Sequence, residues 1–536
     1  QVVLKSEDRG QSWTAISPDL TRNDPEKQGT TGGPIMIEGA GGEHYGTLMY
    51  IAESPHDAGT LWTGSDDGRV FVTRDGGGEW DNVTPRGLPE AQVNAIEVSP
   101  HDPAVAYIAV TRYKFNDFTP TIYRTDDYGH SWDLIVDGIG EEAFARVVRE
   151  DPVRRGLLYA GTEAGMYVSF NDGDDWQPLQ LNLPRVPITD LKVHEDDLVA
   201  ATQGRAFWIL DDITPLRQLD GDVKGGALHL FAPADAYRLD GSGWGEEQAK
   251  NPPDGAVIDY LVNDSIKERS GELELAILTD DGEVIRTFTN AEPEKKKETL
   301  VKGVQGEPPP PPLGAKGGMN RYVWNLRYER YEPVSDTIRY VSTRPPRVAP
   351  GTYQARLTFR GESLTRSFRV LPDPRLEPRS PAEWAEQQRV LHEMIDLVNE
   401  IHAATMQMRG VIDQTHRMMK LTASRTQSEA IREGGNALVR KIEAWESQVP
   451  QPSLPNDVQD RIAFPSRLLS TQVLHLIGDI DQYPPLTEAA KRRSRELEEQ
   501  WAELAAGKRD ILDGDLRRFN ALLEDSGVPH VVAASP

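Results

Sequence analysis

Residues 73–80 read TRDGGGEW, which sets Asp75 two places after Thr73, two before Gly77 and five before Trp80. A carboxylate in a glycine turn beside an aromatic ring could serve acid–base chemistry on a sugar. The same spacing, S/T-x-D-x-G-x-x-W, returns at Ser6, Asp8, Gly10 and Trp13, at Thr125, Asp127, Gly129 and Trp132, and at Ser169, Asn171, Gly173 and Trp176. Four copies spread over the first 176 residues are the mark of a repeat architecture rather than of one catalytic centre. Asn171 accepts the hydrogen bonds that the Asp residues accept but cannot act as a carboxylate base. The motif therefore reads as structural. The acidic side chain ties a tight turn, the Gly takes a conformation that a Cβ would oppose, and the Trp folds back onto its hairpin as an apolar plug.

Ahead of each later copy lie short β-branched or aromatic runs separated by turns: LWTGSDDGRVFV at 61–72, YIAVTRYKFNDFTPTIY at 107–123 and LLYAGTEAGMYV at 157–168. With the apolar strands MYIAESPHD, AIEVSPHD and RVVREDP upstream, each unit becomes three or four antiparallel strands with the motif in the turn after the third, which is a β-propeller blade. Units fall at 46–84, 93–136, 144–179 and 188–219, with a half blade at 1–16; the last unit carries TQGRAFWILDD in place of the motif. So few blades leave an incomplete ring with unpaired edges, which soluble proteins avoid. The expectation is that Gln1 is internal to a larger protein, or that a partner chain supplies the other blades.

Beyond residue 220 the pattern changes. LELAIL at 273–278 pairs with VIRTF at 284–288, RYVWNLR alternates over 321–327, and PGTYQARLTF at 350–359 pairs through RGES with LTRSFRVL at 364–371. A β-sandwich over 221–375, immunoglobulin-like or fibronectin-like, is expected, interrupted by a mobile loop at 291–318 that contains five consecutive prolines and little to bury. From Ser380 the period becomes helical. Ser380, Pro381 and Glu383 form a capping box, and Trp384, Leu391, Met394, Val398, Ile401, Thr405, Met408 and Ile412 make one apolar stripe. Further amphipathic stretches at 427–447, 465–481 and 486–524 complete an expected antiparallel four-helix bundle over 376–536. His392, His402 and His416 lie on or near the long helix, but HEMID lacks the second His of a zinc HExxH motif, so they read as surface or packing residues and neither a metal nor another cofactor is implied.

A formal charge of −26 on 536 residues repels phosphate backbones and anionic membranes, which argues against nucleic-acid partners. The absence of cysteine excludes disulfides, zinc–thiolate sites and thiol nucleophiles. No apolar run approaches the roughly 20 residues that span a bilayer.

The motif resembles the Asp box of sialidases, sortilins and xyloglucan-cleaving hydrolases, in which the boxes lie on the blade periphery away from the ligand pocket. QGTTGGPI, EHYGTL, GLLYAGTEAGMYVSFNDG and GRAFWILDDITPLRQL, with NPPDGAVIDY, GMNRYVWNLRY and FPSRL downstream, are similar to the C-terminal portion of large bacterial sortilin-like, neuraminidase-repeat proteins commonly labelled glycosyl hydrolases. The resemblance covers nearly the whole chain and implies a periplasmic, secreted or cell-surface location. One departure is TQGR at 202–205 where the family has THGR, so Gln203 cannot carry a proton as His would. Two functions follow from it. One is a binding or assembly protein whose loops take a peptide, glycan or partner protein. The other is a glycoside hydrolase, sialidase-like or xyloglucanase-like, using a carboxylate pair in the cleft; a sialidase would need a Tyr nucleophile, a Glu and an arginine cluster, for which Tyr113, Glu43, Arg112 and Arg146 are available. Binding is the favoured reading, since no carboxylate pair stands out among 85 acidic residues. The candidate ligand contacts are loop residues outside the boxes: Glu43, His44 and Tyr45, then Tyr113, Asn116 and Asp117, then Glu163 and Arg205.

Overall fold

The computed structural model describes residues 1–29, 45–220, 223, 227–239, 252–263, 270–291, 310–329, 331, 334, 344–425, 427–449, 468–482 and 484–533. It divides into two compact units, Gln1–Lys224 and Gly225–Pro536.

The first unit is a series of antiparallel meanders. A two-stranded sheet, β1 (Leu4–Lys5) and β2 (Thr14–Ala15), comes first. Three four-stranded sheets follow in chain order: β3 (Leu48–Glu53), β4 (Leu61–Ser65), β5 (Val70–Thr73), β6 (Asp81–Asn82); β7 (Gln92–Val98), β8 (Ala106–Thr111), β9 (Ile122–Thr125), β10 (Asp133–Leu134); and β11 (Ala145–Glu150), β12 (Leu158–Thr162), β13 (Gly165–Ser169), β14 (Gln177–Pro178). A three-stranded sheet of β15 (Ile188–His194), β16 (Asp197–Thr202) and β17 (Phe207–Leu210) closes the series, followed by a short helix α1 (Thr214–Gln218). The first strand of each sheet packs beside the first strand of the next, so β3, β7, β11 and β15 line the inner side of a propeller-like array. Each of these four strands carries a one-residue bulge at the same place, between Leu48 and Tyr50, Val93 and Ala95, Ala145 and Val147, and Ile188 and Asp190. A shared bulge fixes a common register, so side chains two residues beyond it stand level around the inner wall.

Close sheet packing requires small residues. A Cβ on Gly64 of β4 would fall 2.4 Å from Cγ1 of Val93 on β7, and one on Gly161 of β12 would fall 2.7 Å from Cγ2 of Ile188 on β15.

The second unit joins two sheets to a set of helices. One sheet orders β18 (Leu228–Leu230), β20 (Ala256–Val262) and β23 (Gly318–Trp324); the other orders β19 (Ala236–Arg238), β25 (Glu362–Pro372), β24 (Gly351–Phe359), β21 (Leu273–Thr279) and β22 (Val284–Thr289). Residues of both, including Ile258, Tyr260, Leu275, Ile277, Trp324 and Phe368, share one core. The β21–β22 and β24–β25 pairs form where alternation placed them, while β19 pairs with β25 in parallel, so the second sheet is mixed. The proline-rich loop expected at 291–318 lies largely outside the described residues.

The helices are α2 (Pro381–Leu421), α3 (Ser428–Glu446), α4 (Leu469–Ile480), α5 (Glu488–Asp510) and α6 (Arg517–Asp525), with one π-helical stretch, Ile511–Leu516, between the last two. Both halves of the capping box form at Ser380 and Glu383, and the stripe from Trp384 to Met408 is buried. Asp481, at the end of α4, ties helices to sheets: its carboxylate takes Arg238 at 3.1 Å, the Arg347 backbone N–H at 3.0 Å and Arg327 at 3.3 Å. His402 meets Ser470 Oγ at 3.0 Å and His392 packs edge-on to Tyr328, so both sit in packing contacts. No described helix is long and apolar enough to cross a membrane.

Candidate functional site

Alternation of strand direction gives each blade two ends. The turns between first and second strands and between third and fourth strands lie at one end, and the second-to-third turns lie at the other. Hydrogen bonds report this directly: Gly76 N–H donates to Gly59 O, Tyr128 to Ala104 O and Asp172 to Gly156 O, each joining a motif turn to the first-to-second turn of its own blade.

The motif turns are internally satisfied. Ser6, Thr73, Thr125 and Ser169 each donate a hydroxyl to the Asp or Asn two residues on, at 2.8–2.9 Å. The same hydroxyls accept the N–H of Gly10, Gly77, Gly129 and Gly173, and the acidic or amide oxygen accepts the N–H of Ser12, Glu79, Ser131 and Asp175. All four glycines have φ between +86° and +103°, a region that penalises a Cβ. Hydrogen bonds hold Asp8 and Asp127 down to about 2, the side-chain hydroxyls of Ser12 and Ser131 contributing most, and the Glu79 N–H chiefly holds Asp75 below its usual range. Carboxylates so consumed are poor bases.

The tryptophans also join neighbouring units. The Trp132 ring lies over its own turn, 3.3 Å from where a Cβ on Gly129 would stand, while the indole N–H of each later Trp reaches the preceding unit: Trp80 Nε1 donates to Ile16 O at 2.9 Å, Trp132 to Val83 O at 2.7 Å and Trp176 to Ile135 O at 3.0 Å. The acceptor always stands three residues after the previous Trp. The indole is long enough to cross the gap between neighbouring sheets, and its lone N–H finds a carbonyl just past the outer strand of the preceding unit, whereas Trp13 Nε1 donates to Gly10 O of its own turn at 3.2 Å.

The described binding candidates gather at the opposite end. Tyr45 donates its hydroxyl to Glu90, which also pairs with Lys27, and Arg112 Nε donates to the Glu90 carbonyl at 3.1 Å. Arg112 then pairs with Asp117 across the turn that holds Tyr113 and Asn116, the latter in left-handed backbone at φ 59°. Asp117 is held below its usual carboxylate range, mostly by the Thr119 hydroxyl. Tyr113 stacks on Phe144 at 5.5 Å, Phe118 leans on the same ring at 6.1 Å, and Arg146 covers Phe144 while binding Glu163 at 2.6–2.7 Å. Tyr113, Phe115 and Phe118 remain exposed. Arg205 occupies the corresponding turn of the last blade, where its guanidinium bonds to Gly204 O and its carbonyl accepts Trp208 Nε1–H. Glu43 and His44 lie outside the described residues.

One constellation escaped sequence reasoning. On the inner wall Arg149 of β11 donates from Nε to Leu191 O at 2.9 Å, from Nη1 to Val148 O at 3.0 Å and from Nη2 to both Tyr50 Oη at 3.0 Å and Asp190 at 2.7 Å. Glu97 of β7 stands 3.5 Å from Nη1. Four blades thus meet at one guanidinium. Burial pushes the Glu97 carboxyl up to about 7, against the pull of Arg149, although its side chain keeps 23% of its surface. The available signal was the alignment of the four bulged strands, which places Glu97, Arg149 and Lys192 level.

Among the described residues no group of three or more His, Asp or Glu side chains is placed to hold a metal ion.

No family model matches the chain, and no curated protein matches it. Solved structures similar to it include YCF48 bound to D1 peptide, at 19% identity over 31% of this chain and 52% of that chain with a TM-score of 0.25. YCF48 from Cyanidioschyzon merolae has 19% identity over 31% of this chain and 53% of that one, with a TM-score of 0.25. An ancestral GH74 enzyme has 12% identity over 66% of this chain and 49% of that chain, with a TM-score of 0.28. The chain spans about half the length of each.

Proposed function

We propose that this chain is an extracytoplasmic binding and assembly protein. Its blade array belongs to a larger ring and presents the Tyr113, Phe115 and Phe118 end to a peptide segment of a partner. The observation that carries the reading is that three exposed aromatic rings share one loop, held in shape by the Arg112–Asp117 and Arg146–Glu163 pairs beneath them. Preorganised aromatics flanked by fixed charges are how binding surfaces concentrate affinity. Residues 1–220 act as this propeller part, followed in the chain by an immunoglobulin-like sandwich at 221–375 and a helical bundle at 376–536.

A second reading rests on Glu97. A carboxyl raised to about 7 can serve as a general acid, and Asp190 provides a second carboxylate across Arg149, as a glycoside hydrolase would require. Against it, Arg149 grips both groups, so neither faces a substrate bond alone.

The test is a peptide library and a glycan array presented to the intact protein, followed by Tyr113→Ala, Phe115→Ala and Phe118→Ala combined. The expected result is a peptide hit weakened by tenfold or more, about 1.4 kcal/mol, with folding retained. Turnover of an arrayed glycan that Glu97→Gln abolishes would replace this reading with the hydrolase.

A further inference from the structure

The second unit holds a cavity of its own. Among the described residues β22 and β23 are each the last strand of their sheet, and residues of both strands line a space of about 340 Å3. Phe288 of β22 and Tyr322 of β23 touch at its wall, with ring centroids 4.6 Å apart. Alternation sets Arg286 on the same side of β22 as the core residue Phe288, and Arg286 is only 3% exposed. A guanidinium on the core side of a strand has to be held by other polar or aromatic groups. Its Cζ lies 5.0 Å from the centre of the Phe288 ring, and Nη1 reaches Asn325 Oδ1 at 3.4 Å.

Arg327, Arg344 and Arg347 line the same cavity, so that its charged lining among the described residues is four arginines and one carboxylate, Asp254. In a chain whose formal charge is −26, this reverses the prevailing field at one place. Two of the four are braced. Arg347 Nη1 donates to Leu239 O at 2.7 Å and its Nη2 to Asp481 O at 3.1 Å. Arg327 Nη1 donates to Pro345 O and to Asp481 Oδ2, the latter at 3.3 Å, and the two arginines also form an antiparallel backbone bridge. Guanidiniums fixed in this way lose little freedom when an anion arrives.

We propose that this cavity binds a small sugar that carries an oxyanion, a carboxylate or a phosphate, with Arg286 and Arg344 meeting the charge and Asp254 accepting a ring hydroxyl. The planar fork of arginine takes either oxyanion through paired hydrogen bonds. Asp254 narrows the class, because a carboxylate repels a bare inorganic anion and accepts from a hydroxyl, so the occupant has both an anionic group and hydroxyls. The volume falls in the range of small-molecule sites, roughly 300–1,000 Å3. This site goes beyond the proposed function and does not depend on the Tyr113 end.

Calorimetric titration of the whole chain with glucuronate, glucose 6-phosphate, glucose, inorganic phosphate and inorganic sulfate tests the site. The expected result is saturable binding of one or both charged sugars that weakens as salt is raised, with none of glucose and inorganic ions bound roughly tenfold more weakly or less. Which charged sugar binds tells a carboxylate ligand from a phosphate one. Arg286→Met and Arg344→Gln should each weaken that binding by roughly tenfold or more. Arg344 is an exposed residue, so its variant keeps the test open if the change at buried Arg286 prevents folding. Binding of neither charged sugar, equal binding of glucose, an adventitious ion only, or an affinity unchanged in Arg344→Gln would overturn the site. The combined Tyr113, Phe115 and Phe118 variant should bind the sugar as the parent chain does; a loss there would place the sugar at the blades and overturn the assignment to this cavity.

Discussion

The two ends of the blades spend their polar atoms in opposite ways. At the motif end, four turns of one sequence pattern repeat one hydrogen-bond set, and the three later tryptophans are handed to the neighbouring unit. At the other end every turn differs, ion pairs brace individual loops, and three aromatic rings face solvent. Repetition with satisfied groups marks a part that holds neighbours together, and singular loops with exposed rings are the part to which the proposed function assigns the ligand.

The sharpest way to break this contrast is to truncate one ring at each end. Trp176 is 5% exposed, fills the gap between two blades and donates to Ile135 O. Trp176→Ala should cost about 3–5 kcal/mol in urea unfolding of the first unit. Tyr113→Ala should stay within about 1 kcal/mol while removing ligand binding. Similar losses at both sites would dissolve the distinction.

The glycines sharpen it further within the motif. A Cβ on Gly173 at φ +94° would lie 2.4 Å from Ile135 Cδ1, whereas one on Gly10 at φ +88° would meet only its own Trp13 at 3.7 Å. Gly173→Ala should therefore cost about 2–3 kcal/mol, adding overpacking to backbone strain, and Gly10→Ala about 1 kcal/mol from strain alone. Thermal unfolding of the two variants separates the coupling role of the motif from its turn role. Equal shifts would mean that the neighbouring unit contributes nothing.

These contrasts also show what sequence could and could not disclose. Strand pairs such as β4–β5 and β24–β25, and the Ser380 capping box, follow from local alternation and turn chemistry, which neighbours in sequence carry in full. The motif turns were readable for the same reason, since Thr73, Asp75 and Gly77 bond to one another within a few residues. The Trp80–Ile16 contact was not, because its partners are 64 residues apart and the acceptor is a backbone atom with no sequence signature. Arg149 escaped likewise: its partners Tyr50, Glu97 and Asp190 lie on three other strands, far from it in sequence.

Between the two ends, the inner wall offers a pH-dependent test. Glu97 is raised from 4.5 to about 7 mainly by burial, so the folded state holds its proton more tightly than the unfolded state. Its contribution to stability is fully present below pH 4.5 and is lost as pH rises to about 7. The slope in that window is at most about 1.4 kcal/mol per pH unit. Glu97→Gln should flatten it, read as the pH dependence of the urea midpoint. An unchanged profile would show that Arg149 keeps the carboxylate ionised.

The smallest expected effect probes the one copy of the motif that departs from Asp. Ser12 and Ser131 each donate a hydroxyl to the motif carboxylate, but the same position in the fourth copy is Asp175, itself an acceptor. Asn171 resolves the conflict by donating Nδ2–H to Asp175 at 2.9 Å while its Oδ1 takes the turn hydrogen bonds from Ser169 and the Asp175 N–H. The residue pair has exchanged donor and acceptor, so Asn171 is a matched substitution. Asn171→Asp would set two carboxylates together in an exposed turn and should cost roughly 0.5–1 kcal/mol at neutral pH. The loss should shrink as pH falls through the carboxylate range, and Asp175→Ser added to it should recover the stability by restoring the Ser131-type arrangement. If Asn171→Asp alone is neutral at pH 7, the fourth turn is held by its neighbouring blades through Trp176 and Gly173, and the hydrogen-bond set common to the motif is incidental there.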